Sequence, residues 1–197
     1  PTIRANGTAT ATAYATNTGS PSGSVTAQLN IGSRNQASLY GDVQYCEFLV
    51  YNGNLSTTNI QRLEGYLARK WGLQGSSFSL TTFNPTQISG CALWFDAADS
   101  SSVTLSGTNV TQWNDKSGNN RHAIQTVVGR YPVYSNAIVN GLSVVQTSSA
   151  GTTLFVPSVT VNLPVTAILV SRKTGTGGFN AAFFELGVDT NVNAGFY

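Results

Sequence analysis

"VQYCEFLVYNGNLSTTNIQRLEGYLARKWGL", residues 43–73, changes its hydrophobic period halfway along, and that change decides the fold. Residues 43–51 are almost continuously apolar, the pattern of a central strand covered on both faces. Further on, Ile60, Leu63, Leu67 and Trp71 stand at spacings of three, four and four, which is one stripe of an amphipathic helix. Ser56 or Thr57 can cap its first turn, Arg69 and Lys70 suit its negative C-terminal end, and Gly72 can take the left-handed stop. The spacing thus predicts one helix near 57–71, packed across a β-structure, with Arg62, Arg69 and Lys70 on its solvated face. A partner-binding helix is the alternative reading of the same stripe.

Strand patterning surrounds this helix. In "GTATATAYAT" Ala9, Ala11, Ala13 and Ala15 alternate with Thr8, Thr10, Thr12 and Tyr14, and "SVTAQLNI" sets Val25, Ala27, Leu29 and Ile31 on one face. "TNTGSPSG" between them is a turn by composition. "CALWFDAADSSSVTLSG" renews the pattern, followed by "TLFVPSVTVNL", "VTAILVS", "AAFFEL" and "AGFY"; Pro157 and Pro164 mark a bulge, an edge or a strand start. Residues 74–90, "QGSSFSLTTFNPTQISG", lack a clear period and read as a linker.

Composition agrees with an all-β chain of 197 residues. Only 9% of residues are charged, against about 25% in ordinary domains. Polarity comes instead from 24 Thr, 21 Ser and 18 Asn. A hydrophobic fraction of 41% argues against disorder, and a net charge of +2 gives no field suited to nucleic acid. No apolar run approaches the roughly 18 residues of a membrane-spanning helix. Cys46 and Cys91 lie in apolar strand-like stretches, where a buried free thiol is expected.

Two segments resemble a known family. "GDVQYCEFLVYNGNLSTTNIQRLEGYLARKWGL", 41–73, is similar to the closing strand and helix of laminin-G-like jelly-roll domains of the concanavalin A-like superfamily. "CALWFDAADSSSVTLSGTNVTQWNDKSGNNRHA", 91–123, is similar to the opening segment of the same family. The resemblance implies an antiparallel jelly-roll β-sandwich with one short terminal helix. The matches stand in reverse order for a single domain, so tandem repeats are expected. Residues 1–75 would end one sandwich, 76–89 would link, and 90–197 would begin the next; alternatively, 1–75 and 90–197 complete one another as a permuted sandwich. Arrays of this kind resemble surface and minor capsid proteins of large DNA viruses of algae and protists, and some bacterial surface proteins.

"NDKSGNNRH", 114–122, is the densest polar cluster. Asp and Asn side chains can accept from backbone N–H groups two residues on, and Gly118 and the following asparagines tolerate positive φ, so the segment reads as a self-bonded turn. Calcium would need about six to eight oxygen ligands. Asp96, Asp99 and Asp115, with Asn114 and Asn119, supply too few from two separate loops. His122 is the sole histidine, too little for a transition-metal site and without an evident acid–base partner.

Glycoside hydrolysis needs two carboxylates about 5–9.5 Å apart. The glutamates are Glu47, Glu64 and Glu185, and none stands in the Glu-x-Asp-x-x-Glu pattern of the superfamily's glucanases. "GTGG" at 175–178 lacks the Lys and strand–helix setting of a phosphate loop. Tyr14, Tyr40, Tyr131 and Tyr134 are candidate glycan contacts, and Trp113 reads as core. The expectation is a non-enzymatic structural and adhesive module without a cofactor, part of a spike, fibre or minor capsid protein at a virion surface. Its partners would be other virion or surface proteins, neighbouring repeats and host glycans. A glycan-binding lectin of an extracellular or cell-surface protein is the second reading, and a carbohydrate-active enzyme fragment the third.

Overall fold

The computed structural model describes residues 3–5, 8–10, 23–34, 36, 39–73, 83–175, 183–187 and 194–196. Two short strands, β1 (Ile3–Ala5) and β2 (Thr8–Thr10), pair with each other as a separate antiparallel ribbon. The remaining strands are β3 (Gly23–Ile31), β4 (Val43–Asn52), β5 (Cys91–Asp96), β6 (Val103–Ser106), β7 (Asn109–Trp113), β8 (Ala123–Ile124), β9 (Val133–Val139), β10 (Leu142–Thr147), β11 (Leu154–Leu163), β12 (Val165–Lys173), β13 (Phe184–Gly187) and β14 (Ala194–Phe196). Among the described residues these twelve form one antiparallel sheet, in the order β12-β4-β10-β9-β7-β8-β11-β3-β13-β14, with β5 added on β4 and β6 on β7. A single α-helix, α1 (Thr57–Trp71), is described. The chain is therefore mostly β, as its composition implies.

The sheet curls over itself. If it were flat, seven strand spacings would separate β4 from β13, roughly 30 Å or more. Yet the Phe48 and Phe184 rings lie 4.7 Å apart, centroid to centroid. Between the facing strands is one large core, with Leu29 and Ile31 of β3, Phe48 and Val50 of β4, Phe95 of β5, Trp113 of β7 and Val156 of β11. A second, smaller core lies on the outer face of β4, where Leu63, Leu67 and Trp71 of α1 meet Leu49, Tyr51 and Trp94. That explains the continuous apolar run of 43–51: β4 is covered on both sides.

Residues on either side of 76–89 share this architecture. β4 pairs with β5, β10 and β12, β3 pairs with β11, and both parts supply the large core. The later half of the 76–89 segment is itself packed. Asn84 caps a single 3-10 turn at Pro85–Gln87, Tyr51 donates its hydroxyl to the Pro85 carbonyl at 3.0 Å, and Ile88 is buried against α1.

Local chemistry accounts for the joints. Asn140 and Gly141 take positive φ (49° and 74°) in the two-residue turn between β9 and β10, the geometry that matches strand twist in a hairpin. The register of β11 against β3 shifts between Val156 and Val159, at Pro157, which has no N–H to give the ladder. α1 begins at Ser56, whose side chain accepts from the Asn59 N–H, and stops at Gly72 with φ 68°.

Candidate functional site

One irregularity in β4 builds the polar centre of the molecule. Opposite β12, Val170 faces Glu47 and Ser171 faces Tyr45, so Cys46 is an extra residue in the ladder. This bulge turns Cys46 and Glu47 to the same side, toward α1. Glu47 is thereby aimed at the helix, fully buried, and it stands directly opposite Asp96 of β5. Cross-strand partners bring their Cβ atoms to about 4.5–5.5 Å, so the two carboxyls are neighbours.

Four donors converge on Glu47. Its Oε1 accepts from Trp94 Nε1 at 2.7 Å and Tyr66 hydroxyl at 2.9 Å. Its Oε2 accepts from Trp71 Nε1 at 2.8 Å and Lys70 Nζ at 2.9 Å. Helical spacing puts Tyr66, Lys70 and Trp71 on this face of α1 together. Lys70 also donates to Asp96 Oδ1 at 2.5 Å, while Lys116 bridges Asp96 Oδ2 at 3.0 Å and Asp99 at 2.7 Å. The Lys116 ammonium stands 4.4 Å from the centre of the Trp94 ring. Three carboxyls and two ammoniums thus alternate through the space between α1, β4, β5 and the 114–122 loop.

The electrostatics follow from burial. Desolvation, then the neighbouring Asp96, pushes the Glu47 carboxyl up from its ordinary range, against the pull of Lys70 and the indole donors. Burial and the charges of Glu47 and Asp96 also raise the Tyr66 hydroxyl, which stays a proton donor. Hydrogen bonds from Lys116 and Ser101 hold Asp99 below the usual carboxylate value. For Lys116, burial works against the charge, but Asp99 and Asp96 outweigh it and raise its pKa. These assignments revise the reading of α1. Lys70 lies in a buried ion cluster and not on a solvated helix face.

The 114–122 loop is a self-bonded turn. Asp115 is buried; its Oδ1 accepts from the Trp94 and Ser117 N–H groups at 3.0 and 2.9 Å, and its Oδ2 from the Arg121 N–H at 3.1 Å and the Ser117 hydroxyl at 2.8 Å. His122 Nδ1 accepts from the Asp115 N–H at 3.1 Å, and Asn119 donates to the Cys91 and Ala92 carbonyls. Gly118 and Asn120 have positive φ. Through these bonds the loop clamps the start of β5, fixing Trp94 and Asp96. Asp96 and Asp99 share Lys116, while Asp115 is turned to backbone amides. No group of three or more His, Cys, Asp or Glu capable of holding a metal occurs among the described residues.

The candidate glycan tyrosines separate. Tyr134 is buried, at 8% exposure, and donates its hydroxyl to the Ala97 carbonyl at 2.8 Å. That corrects its reading as a surface contact: β9 turns this ring into the large core. Tyr40 is half-buried and donates to the Gln36 carbonyl, which also accepts from Arg130 at 2.9 Å; Tyr131 is half-buried beside that arginine. Tyr14 lies outside the described residues. Trp113 is fully buried, as its place in the motif implies, and its Nε1 has no hydrogen-bond partner.

Nothing in the sequence spacing joins Glu47 to Asp96, Lys70, Tyr66 or Lys116. The available signal was a charged residue inside an apolar strand, which demands a buried partner. No family model, curated protein or solved structure matches the chain.

Proposed function

We propose that the chain is a non-enzymatic structural and adhesive module of a surface assembly. One observation carries this reading: the concentrated charge of the described residues is spent on internal donors that tie α1 to β4 and β5. The outer face of β3 and β11 is made instead of uncharged pairs, Ser24 with Asn162 and Thr26 with Thr160 at 2.8 Å. Such a surface is suited to many weak contacts, and repetition along an assembly would sum them.

The curled antiparallel sheet with a helix on its outer face supports a laminin-G-like jelly-roll sandwich. Segments 41–73 and 91–123, the two stretches resembling that family, meet at the Glu47–Asp96 pair. Tandem arrays of such domains resemble surface and minor capsid proteins of large DNA viruses, and on that resemblance the module belongs to a spike, fibre or capsid-associated protein.

Three assays run on the same protein test the reading. Association with purified particle proteins, with no signal on a glycan array, is the expected result. Saturable binding to a defined sugar would replace it with a lectin, and release of reducing ends from polysaccharide would replace it with a hydrolase.

A further inference from the structure

We propose that Lys70 and Asp96 become joined by an intramolecular amide bond, formed by the folded chain itself with Glu47 as the proton carrier. The geometry presents the reactants together. Lys70 Nζ is 2.5 Å from Asp96 Oδ1, one bond from the carboxyl carbon, and 2.9 Å from Glu47 Oε2. Glu47 and Asp96 are directly opposed across β4 and β5. The Trp71, Trp94 and Tyr66 side chains surround Glu47, and each of them donates to it. Held this way, a nucleophile and an acyl carbon gain an effective molarity on the order of 10⁵–10⁸ M. Both carboxyls are buried, and scarce water at the acyl carbon favours loss of water over its return.

The step balances without another reactant. An ammonium and a carboxylate together contain the atoms of an amide and one water. Lys70 passes a proton to Glu47, which hands it to Asp96 Oδ1. The neutral amine then attacks the Asp96 carboxyl carbon, forming the C–N bond. In the tetrahedral intermediate Oδ2 bears the negative charge, and the Lys116 ammonium at 3.0 Å from that oxygen stabilises it. Glu47 takes the second proton from nitrogen and delivers it to Oδ1, which leaves as water when the C–O bond breaks. Oδ2 remains as the amide oxygen. The Ala98 N–H, 3.1 Å from Oδ1, holds the carboxyl in place until that oxygen leaves.

Lys70 is the nucleophile and Lys116 is not, because only Lys70 touches Glu47. The other partner of Lys116 is Asp99, whose side chain is 34% exposed and opens that side to water. Burial, which raises Glu47 out of the ordinary carboxylate range, makes it a competent acceptor for the lysine proton. The product would tie the last turn of α1 to β5 covalently. The inference stands on this cluster alone and holds whichever surface the module serves.

The test is the denatured intact mass of the full chain, followed by proteolytic peptide mapping. The expected mass is lower than that of the sequence by one water, with a branched peptide that joins the Lys70 and Asp96 segments. Lys70→Arg and Glu47→Gln chains should retain the full mass. A wild-type chain of full mass would overturn the proposal, as would a lost water that maps to other residues. Cross-linked Glu47→Gln protein would overturn the role given to Glu47. The wild-type measurement decides the bond even if a variant fails to fold.

Discussion

Glu47 is the point where four donors meet: the Trp71 and Trp94 indoles, the Tyr66 hydroxyl and the Lys70 ammonium. Glu47→Ala strands the Trp71 and Trp94 indole N–H groups in the interior and takes one of its two carboxylate partners from Lys70. Breaking a buried charge network of this kind costs about 3–5 kcal/mol, and urea unfolding of the variant should read a loss of that order. Asp99 gives the pH dependence. Its folded pKa lies below the 3.8 of the unfolded chain, so the stabilisation is complete above that value and disappears as pH falls through and below it. Asp99→Asn should therefore flatten the fall of the denaturation midpoint below about pH 4. Glu47 has the opposite sign: with its folded pKa raised above 4.5, its ionisation weakens the fold as pH rises from there. The thiols form a third case. Burial pushes Cys46 up to about 12 and Cys91 up to about 11. Since the thiolate is the nucleophile, neither should be alkylated by iodoacetamide near neutral pH until denaturant is added. Rapid labelling of the native chain at either cysteine would show that the outer core opens.

α1 is legible in the sequence because everything that defines it is local. Ser56, the stripe Leu63, Leu67 and Trp71, and Gly72 lie within one short segment, and the observed helix is Thr57–Trp71. Ser56→Ala removes the cap on the Asn59 N–H and should cost about 1 kcal/mol in chemical denaturation. Gly72→Ala should cost at least as much. At φ 68° an added Cβ is strained, and it would also meet the Asn140 side chain at 2.9 Å. A variant as stable as the wild type at either position would mean that α1 draws its stability from packing alone. β4 was equally legible as a strand, but not the direction of its charge. Period-two reading sends Glu47 and Tyr45 to the same face, whereas the extra residue at Cys46 sends Glu47 to α1 and Tyr45 to the large core. A bulge changes no local composition, so no local signal marks it. Lys70 was misplaced for the same reason: its partners Glu47 and Asp96 belong to strands whose pairing is tertiary. Tyr134 likewise follows an irregularity: the β9–β10 register shifts between Leu142 and Val144, beyond the Asn140–Gly141 turn, and the shifted register sets Tyr134 opposite Val145.

The interdependence of the two parts is the largest-scale consequence of the topology. β4, whose residues are buried on both faces, takes all of its sheet neighbours (β5, β10 and β12) from beyond residue 90. β3 completes β11 in the same way. Without β4, the strands β10 and β12 lose the neighbour that lies between them, and the large core loses Phe48 and Val50. Unpaired strand groups and an open apolar core are both unfavourable, and neither part has an internal substitute. Residues 1–75 and 90–197 made as separate polypeptides should each lack a cooperative unfolding transition. Mixed in equal amounts, they should recover β-rich circular dichroism and a single transition, because no sheet pairing of β4 depends on a continuous chain between α1 and β5. Intrinsic fluorescence gives an independent reading of the same event: Trp71 comes from one part and Trp94 from the other, and both indoles end on the Glu47 carboxylate. A cooperative transition in residues 90–197 alone would mean that this part closes its own core, and β4 would then be an accessory strand.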